Sequence, residues 1–351
     1  MIYQQSWDVV RNLLSAIGIV GTVLALTAAA PAQEVTLTVA DQNPPTAWGS
    51  VHAMQPWIKK IEEATKGRVK IEHYPGQTLV KGTETWNAVR AGVVDIGWCF
   101  HGYWPDITPL SDVITLPGLP ITSAEKGSEV LWKLYERFPA IREEYAETQP
   151  LALWTSHPYF ILTTSKQVKT LEDLKGLKIR VTGGPPTEQM KALGAVPTLV
   201  PMPDVYQALD KGVVDGMGAP WEAVNAFRLY EVAKYYTIAP LSAVYGSLCA
   251  NKQKWDSLPM DIRNAIMSVS GLEGSKLWGR NFFDAAEQAA LDGAEAENRE
   301  MIRYAMPTEE VVRWNKVAAQ PLWDAWVKKM EAKGHKEARQ ILEATIEMLN
   351  D

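Results

Sequence analysis

The sequence predicts an α/β fold of two similarly built lobes with a cleft between them, and three observations predict it. The first is an internal echo. Lys66-Gly67-Arg68-Val69-Lys70-Ile71 opens one strand and Lys175-Gly176-Leu177-Lys178-Ile179 opens another. A helical stretch follows each, ending Ala88-Val89-Arg90-Ala91-Gly92-Val93-Val94-Asp95 in the first case and Ala208-Leu209-Asp210-Lys211-Gly212-Val213-Val214-Asp215 in the second. Each reads as a helix stopped by Gly at its C-terminal cap and then a short buried strand. Two copies of one strand–helix–strand order suggest two α/β units. The second observation is a pair of apolar, extended runs, 151–164 and 242–251, which flank the middle of the chain and suit strands that cross between lobes. The third is the stretch from Pro259 onward, where Ala, Glu, Lys, Arg, Met and Leu dominate and β-branched residues thin out, as helices prefer.

Taken in order, the chain opens with a polar segment, Met1 to Asn12, carrying Asp8 and Arg11. A continuous apolar run from Leu13 to Ala30 follows, and then Ala30-Pro31-Ala32. That layout predicts a signal peptide over 1–32, cleaved after Ala32, and hence secretion. Lobe I is expected over 34–153 plus a return over 248–275. Its first strand alternates over Thr36 to Val39 and is closed by Pro44-Pro45. Lobe II is expected over 154–247. Within it, Pro186-Thr187 followed by Glu188 to Leu193 and Gly194 reads as a helix with a Pro start and a Gly stop, and Pro203-Asp204 opens another. The remainder, 276–351, reads as helices packing across or beside both lobes, one of them restarting at Thr308-Glu309-Glu310 after Pro307.

Composition excludes several classes of function. The net charge of −6 and the lack of a basic run argue against nucleic acid and anionic membrane surfaces. No second apolar run approaches spanning length, so no stable membrane insertion is expected after cleavage. Cys99 and Cys249 are the only cysteines, and both sit in apolar, strand-like stretches. Two buried small hydrophobes are expected in preference to a bridge. There is no G-x-S-x-G, H-E-x-x-H or C-x-x-C, and the five histidines show no ligand spacing. Arg180 points the other way. It ends the strand Leu177 to Val181 and precedes Thr182-Gly183-Gly184 and a helix start, so its guanidinium fork and the helix amides suit a carboxylate.

Several ordered motifs carry a resemblance. They are Leu174-Lys175-Gly176-Leu177-Lys178-Ile179-Arg180-Val181, Leu193-Gly194-Ala195-Val196-Pro197, and Val205-Tyr206-Gln207-Ala208-Leu209 running into Gly212-Val213-Val214-Asp215-Gly216. With Leu116-Pro117-Gly118-Leu119-Pro120 and Asn251-Lys252-Gln253-Lys254-Trp255-Asp256-Ser257-Leu258-Pro259, the whole mature chain resembles the DctP-type solute-binding proteins of TRAP transporters. The resemblance implies a two-lobed, type II-like periplasmic binding protein. Such a protein takes a small organic carboxylate without a cofactor, closes on it, and docks onto TRAP membrane subunits. It also implies that Arg180 holds the ligand carboxylate.

Two departures shape the expected ligand. The sialic-acid and dicarboxylate binders of that family carry Gln-Glu-Asn-Pro after Val-Asp-Gly, where this chain has Met217-Gly218-Ala219-Pro220-Trp221-Glu222, so Ala219 replaces an Asn that touches ligand. They often carry a second Arg on the crossing strand, where this chain reads His157-Pro158-Tyr159-Phe160. A polyhydroxylated or doubly charged ligand would lose partners at about 1–3 kcal/mol each. A monocarboxylate with an aromatic or other apolar body fits better, with Trp48, Trp98, Trp221, Tyr159, Phe160, Met202, Ala219 and His101 expected near it. Glu222 reads as a structural residue, with a ligand amine or hydroxyl as its other possible partner. An amino-acid, α-keto-acid or dicarboxylate receptor is the alternative, and a periplasmic enzyme or sensor-kinase partner the remote one.

Overall fold

The computed structural model describes residues 35–239 and 241–351, and the signal-peptide expectation over 1–32 lies outside the described residues. In chain order the strands are β1 (Val35–Ala40), β2 (Val69–Tyr74), β3 (Ile96–Phe100), β4 (Thr148–Thr155), β5 (Phe160–Thr163) and β6 (Lys178–Val181). They continue as β7 (Val196–Leu199), β8 (Gly216–Ala219), β9 (Tyr235–Ile238), β10 (Tyr245–Asn251) and β11 (Ile302–Ala305). They form two mixed sheets, one in the order β2-β1-β3-β10-β4 and the other β11-β9-β5-β8-β6-β7. In the first, β1 runs parallel to β2 and β3, and β10 runs antiparallel to β3 and β4. In the second, β6 is parallel to β7 and β8, and β5 is antiparallel to β8 and β9. The chain leaves the first sheet after Thr155 and returns to it at Tyr245, so each lobe is one sheet with its helices.

The echo has the same physical build in both lobes. The helices Thr85–Arg90 and Val205–Asp210 are each followed by a left-handed glycine, Gly92 at φ 71° and Gly212 at φ 67°. The backbone N–H of Val93 then donates to Ala88 O and that of Val213 to Ala208 O, at 2.9 Å in each case. The strands begin only after the Val-Val-Asp, which is a turn and not part of a buried strand. Val93 and Val213 stand 64% and 53% exposed, whereas Val94 and Val214 are buried. The aspartates bind the neighbouring strand: Asp95 Oδ2 accepts from Thr38 N (2.8 Å) and Asp215 Oδ2 from Lys178 N (2.8 Å).

A long helical segment makes a third crossing. Gly271–Trp278 packs on β4, and after a wider, π-type turn at Gly279–Asp284 the helix Ala286–Ala296 packs on Trp221–Ala226 beside the second sheet. Wider turns of this kind occur where a helix must change direction at a functional place. The stretch 276–351 is not helical throughout. Ile302–Ala305 forms β11, parallel to β9 with Ile302 beside Tyr235. Four residues in a Glu- and Arg-rich segment leave no periodic signal, and edge pairing is decided by tertiary context. The helices Thr308–Ala318 and Gln320–Ala332 reach both lobes. Arg313 pairs with Glu172 on the second-sheet side, while Trp323 Nε1 and Trp326 Nε1 donate to the carbonyls of Pro117 (2.8 Å) and Pro109 (3.2 Å).

The first sheet separates two chemistries by strand alternation. Trp98, Leu248 and Trp154 point to one face. Cys99, Leu153, Tyr245 and Cys249 point to the other. The two cysteines are free and buried, with their Sγ atoms 2.8 Å apart. Burial above all, and then the neighbouring sulfur, push the Cys99 thiol well up from its ordinary value.

Candidate functional site

Arg180 leaves the sheet at the C-terminal end of β6, between Thr198 on β7 and Met217 on β8. It is only 2% exposed. Its Nε donates to Val200 O at 2.8 Å, but its Nη2 is buried without a partner, and no ion pair reaches it among the described residues. Burial works against its charge, partly offset by Tyr103 and Tyr159, so its proton affinity lies below the usual arginine value. A buried, uncompensated guanidinium is costly unless an anion completes it.

The space beside Arg180 is a narrow cavity between the lobes. Gln42, Asn43, Trp98, Phe100, Trp154, Val244 and Phe283 line one side, and Tyr159, Arg180, Met202, Pro220, Glu222, Ala223 and Phe227 line the other. A second small cavity shares Tyr159 and Arg180 and adds Thr182, Gln189 and Ser242, of which Thr182 Oγ1 and Ser242 Oγ have no partner. The aromatic wall is built by the inward face of the first sheet. Trp98 stacks on Trp154 with centroids 4.5 Å apart and on Phe282 at 5.7 Å, and Phe100 is near-parallel to Trp98 at 6.3 Å. Phe283, from the π-type turn, tilts against Trp154 at 5.3 Å. Gly246 on β10 makes this possible, because a Cβ there would lie 2.2 Å from Trp154 Cζ2.

Contacts between the lobes close the cavity. Gly183 N–H donates to Gly102 O at 2.8 Å. Tyr103 OH donates to Gln42 Oε1 (3.0 Å) and accepts from the N–H of Met202 (2.9 Å), tying the loop after β1 to the second lobe. That loop is set by Asp41, whose Oδ1 accepts from Asn43 N (2.9 Å) and Nδ2 (2.8 Å).

Of the residues singled out in the sequence, Arg180, Trp98, Tyr159 and Met202 line this cavity. The other five stand elsewhere. Trp48 donates Nε1–H to Asn281 O (2.8 Å) and packs on His52. Trp221 and Phe160 pack on each other, 4.3 Å apart, and line a separate groove with Tyr159, Asp284 and Glu287. Ala219 is buried on β8 opposite Phe160. His101 lies under the first sheet between Thr108 Oγ1 (2.8 Å) and Ser247 Oγ (2.9 Å), and burial lowers its pKa to about 3, so it is neutral.

Sequence reasoning passed over Trp154, Phe227, Phe283, Gln42 and Asn43, and gave Glu222 a structural role. Glu222 is 4% exposed, its Oε1 has no partner, and burial followed by Asp41 raises its pKa to about 8. Trp154 had no clear signal, since its strand is buried on both faces; Phe283 had none either, since the π-type turn alone aims it.

Among the described residues no cluster of three or more His, Cys, Asp or Glu is placed to hold a metal ion, and no helix is long and apolar enough to cross a membrane. The solved structures similar to this chain include a TRAP solute-binding protein from Rhodoferax ferrireducens T118, in complex with copurified benzoate. It superposes with a TM-score of 0.85 at 30% identity, over 90% of this chain and 98% of that one. Another, a marine metagenome TRAP solute-binding protein specific for aromatic acid ligands and holding 3-hydroxybenzoate, gives a TM-score of 0.84 at 29% identity over 91% and 98%. A sequence relative from Comamonas testosteroni, named the outer membrane transporter protein TsaT, is 30% identical over 89% of this chain and 91% of its own length. Residues 43–333 match the DctP family throughout, and the chain therefore belongs to DctP, the bacterial extracellular solute-binding proteins of family 7.

Proposed function

We propose that this chain is the periplasmic receptor of a TRAP transporter for an aromatic monocarboxylate, exported by cleavage of the 1–32 leader. It binds its ligand without turning it over, and hands it to the membrane subunits. One observation carries the reading: a buried Arg180 with a free N–H lines a cavity together with the aromatic side chains of Trp98, Phe100, Trp154 and Phe283. The guanidinium holds the carboxylate, and the ring lies among aromatic side chains, where stacked or edge-on contacts add about 0.5–1.5 kcal/mol each beyond burial. Tyr159 and Met202 complete the enclosure from the second lobe. The benzoate and 3-hydroxybenzoate held by the two similar structures agree with this chemistry. Among the described residues Arg180 is the one cationic side chain on the cavity lining, which disfavours a dicarboxylate.

The test is calorimetric titration of refolded residues 33–351 with benzoate, phenylacetate, succinate, pyruvate and an amino acid. Benzoate or phenylacetate is expected to bind and the others not. Arg180→Ala is expected to weaken binding by more than about 30-fold, because a ligand carboxylate buried without its partner costs roughly 2–5 kcal/mol. Wild-type affinity in that variant would remove Arg180 as the anchor.

A further inference from the structure

We infer that Glu222 is a specificity residue whose buried carboxyl end hydrogen-bonds a hydroxyl group on the apolar body of the ligand, so that the receptor selects hydroxylated aromatic acids over their unsubstituted parents. This rests on the aromatic-acid reading above. The geometry begins with placement. Glu222 stands in the first turn of the helix Trp221–Ala226, which starts directly after β8, and its side chain lines the cavity that holds Arg180. A Glu in that turn can cap backbone N–H groups, but this one makes no such bond, and Oε1 is buried with no partner at all. An unpaired buried oxygen costs about 1–3 kcal/mol, so something outside the chain is needed to satisfy it.

The other polar groups on the lining narrow what that something is. Gln42 Oε1 is occupied by Tyr103, and Asn43 Nδ2 by Asp41. The indole N–H groups of Trp98 and Trp154 are buried without partners, and as donors they also complement an oxygen substituent. Arg180 and Glu222 both act on Tyr159, yet Glu222 itself responds to burial and Asp41 and not to Arg180. Arg180 and Glu222 line the same cavity, so a ligand whose carboxylate is held by Arg180 has its remaining groups within the space that Glu222 also lines. Buried and beside Asp41, Glu222 is held as a neutral acid, with one O–H donor and one carbonyl acceptor. A hydroxyl, itself donor and acceptor, matches both. A second carboxylate there would crowd Asp41, and an ammonium would meet an uncharged partner.

The experiment compares benzoate, 3-hydroxybenzoate, 4-hydroxybenzoate, 3-(aminomethyl)benzoate and isophthalate by calorimetry on wild type, Glu222→Leu and Glu222→Gln. One hydroxybenzoate is expected to bind wild type about tenfold more tightly than benzoate, the effect of one buried hydrogen bond. Glu222→Leu should reduce that gap to within about twofold, while Glu222→Gln, which keeps a donor and an acceptor, should preserve most of it. Equal affinity for benzoate and both hydroxybenzoates in wild type overturns the role of Glu222 and leaves the receptor reading standing. So does a preference that survives in Glu222→Leu, or tighter binding of the aminomethyl or dicarboxylate probe. Failure of every aromatic acid to bind removes the reading beneath it. Should the Leu variant not fold, the wild-type series and the Gln variant still decide.

Discussion

Arg180 and Glu222 are opposite cases of one problem, a buried polar side chain with one atom left unpaired, Nη2 in the first and Oε1 in the second. Arg180 was legible from its strand end and the Thr-Gly-Gly that follows, because an anion site at a strand-to-helix junction has a local sequence form. Glu222 was not, since whether the first-turn Glu of a helix caps its own backbone or faces a cleft depends on where the helix lands. Its environment makes a prediction about protons. The charged and titratable groups around it are Asp41, which carries His73 on Oδ2, together with Tyr159 and Arg180. In an open, hydrated cleft Glu222 has an ordinary carboxylate value near 4.5, and in the closed form about 8. The closed-state value is the raised one, so closure is favoured at low pH and takes up a proton between those limits. Affinity should fall as pH rises through that window and level off above it. Calorimetry near pH 6.5, in buffers of different ionisation enthalpy, should register uptake of close to one proton per ligand in wild type and none in Glu222→Gln. Equal proton linkage in both proteins would assign the uptake to another group.

At the scale of elements, the aromatic wall depends on how β3, β10 and β4 lie together. Trp98 and Phe100 share a face by alternation, and the sequence places them at a strand end facing the cleft. Trp154 was hidden because Leu151-Ala152-Leu153-Trp154 is continuously apolar, and a strand buried on both faces gives no sign of which side each residue takes. Trp48, Trp221 and His101 were misplaced for a related reason. Matching positions after equivalent strands fix the loop, but not the side to which a ring turns, and Trp221 turns back onto Phe160 and Tyr236. The glycine echo was legible because a left-handed helix cap selects Gly directly. Gly246 is the small residue on which the wall rests. Gly246→Ala would set a Cβ 2.2 Å from Trp154 and 2.4 Å from the carbonyl of Cys99. Overpacking of this kind should destabilise the protein by about 1–3 kcal/mol in denaturant unfolding. Benzoate binding should weaken as well, as Trp154 is driven toward the ligand. Unchanged stability would mean the strands part without cost.

For the molecule as a whole, the question is what the closed arrangement requires. The chain crosses between sheets after Thr155, before Tyr245 and through the π-type turn Gly279–Asp284. On the closing side the two lobes meet through backbone, Gly183 against Gly102, and through Tyr103 against Met202. A Cβ on Gly183 would lie 2.7 Å from Gly102 O and about 3.1 Å from the Pro105 ring, and both neighbours belong to the other lobe. The glycine is thus demanded by closure and not by the fold of its own lobe. A ligand that touches Arg180 on one lobe and the aromatic wall on the other is held by both only when this contact forms, so binding and closure share one equilibrium. Gly183→Val should leave the unfolding of the ligand-free protein near wild type, yet weaken benzoate binding by tenfold or more, the cost of about 1.4 kcal/mol or greater at the interlobe contact. Small-angle scattering should show wild type contracting on adding benzoate and the variant remaining extended at the same saturation. If the variant contracts and binds as wild type does, the lobes shut by a path that does not bring Gly102 and Gly183 together, and closure must be governed by the crossing segments alone.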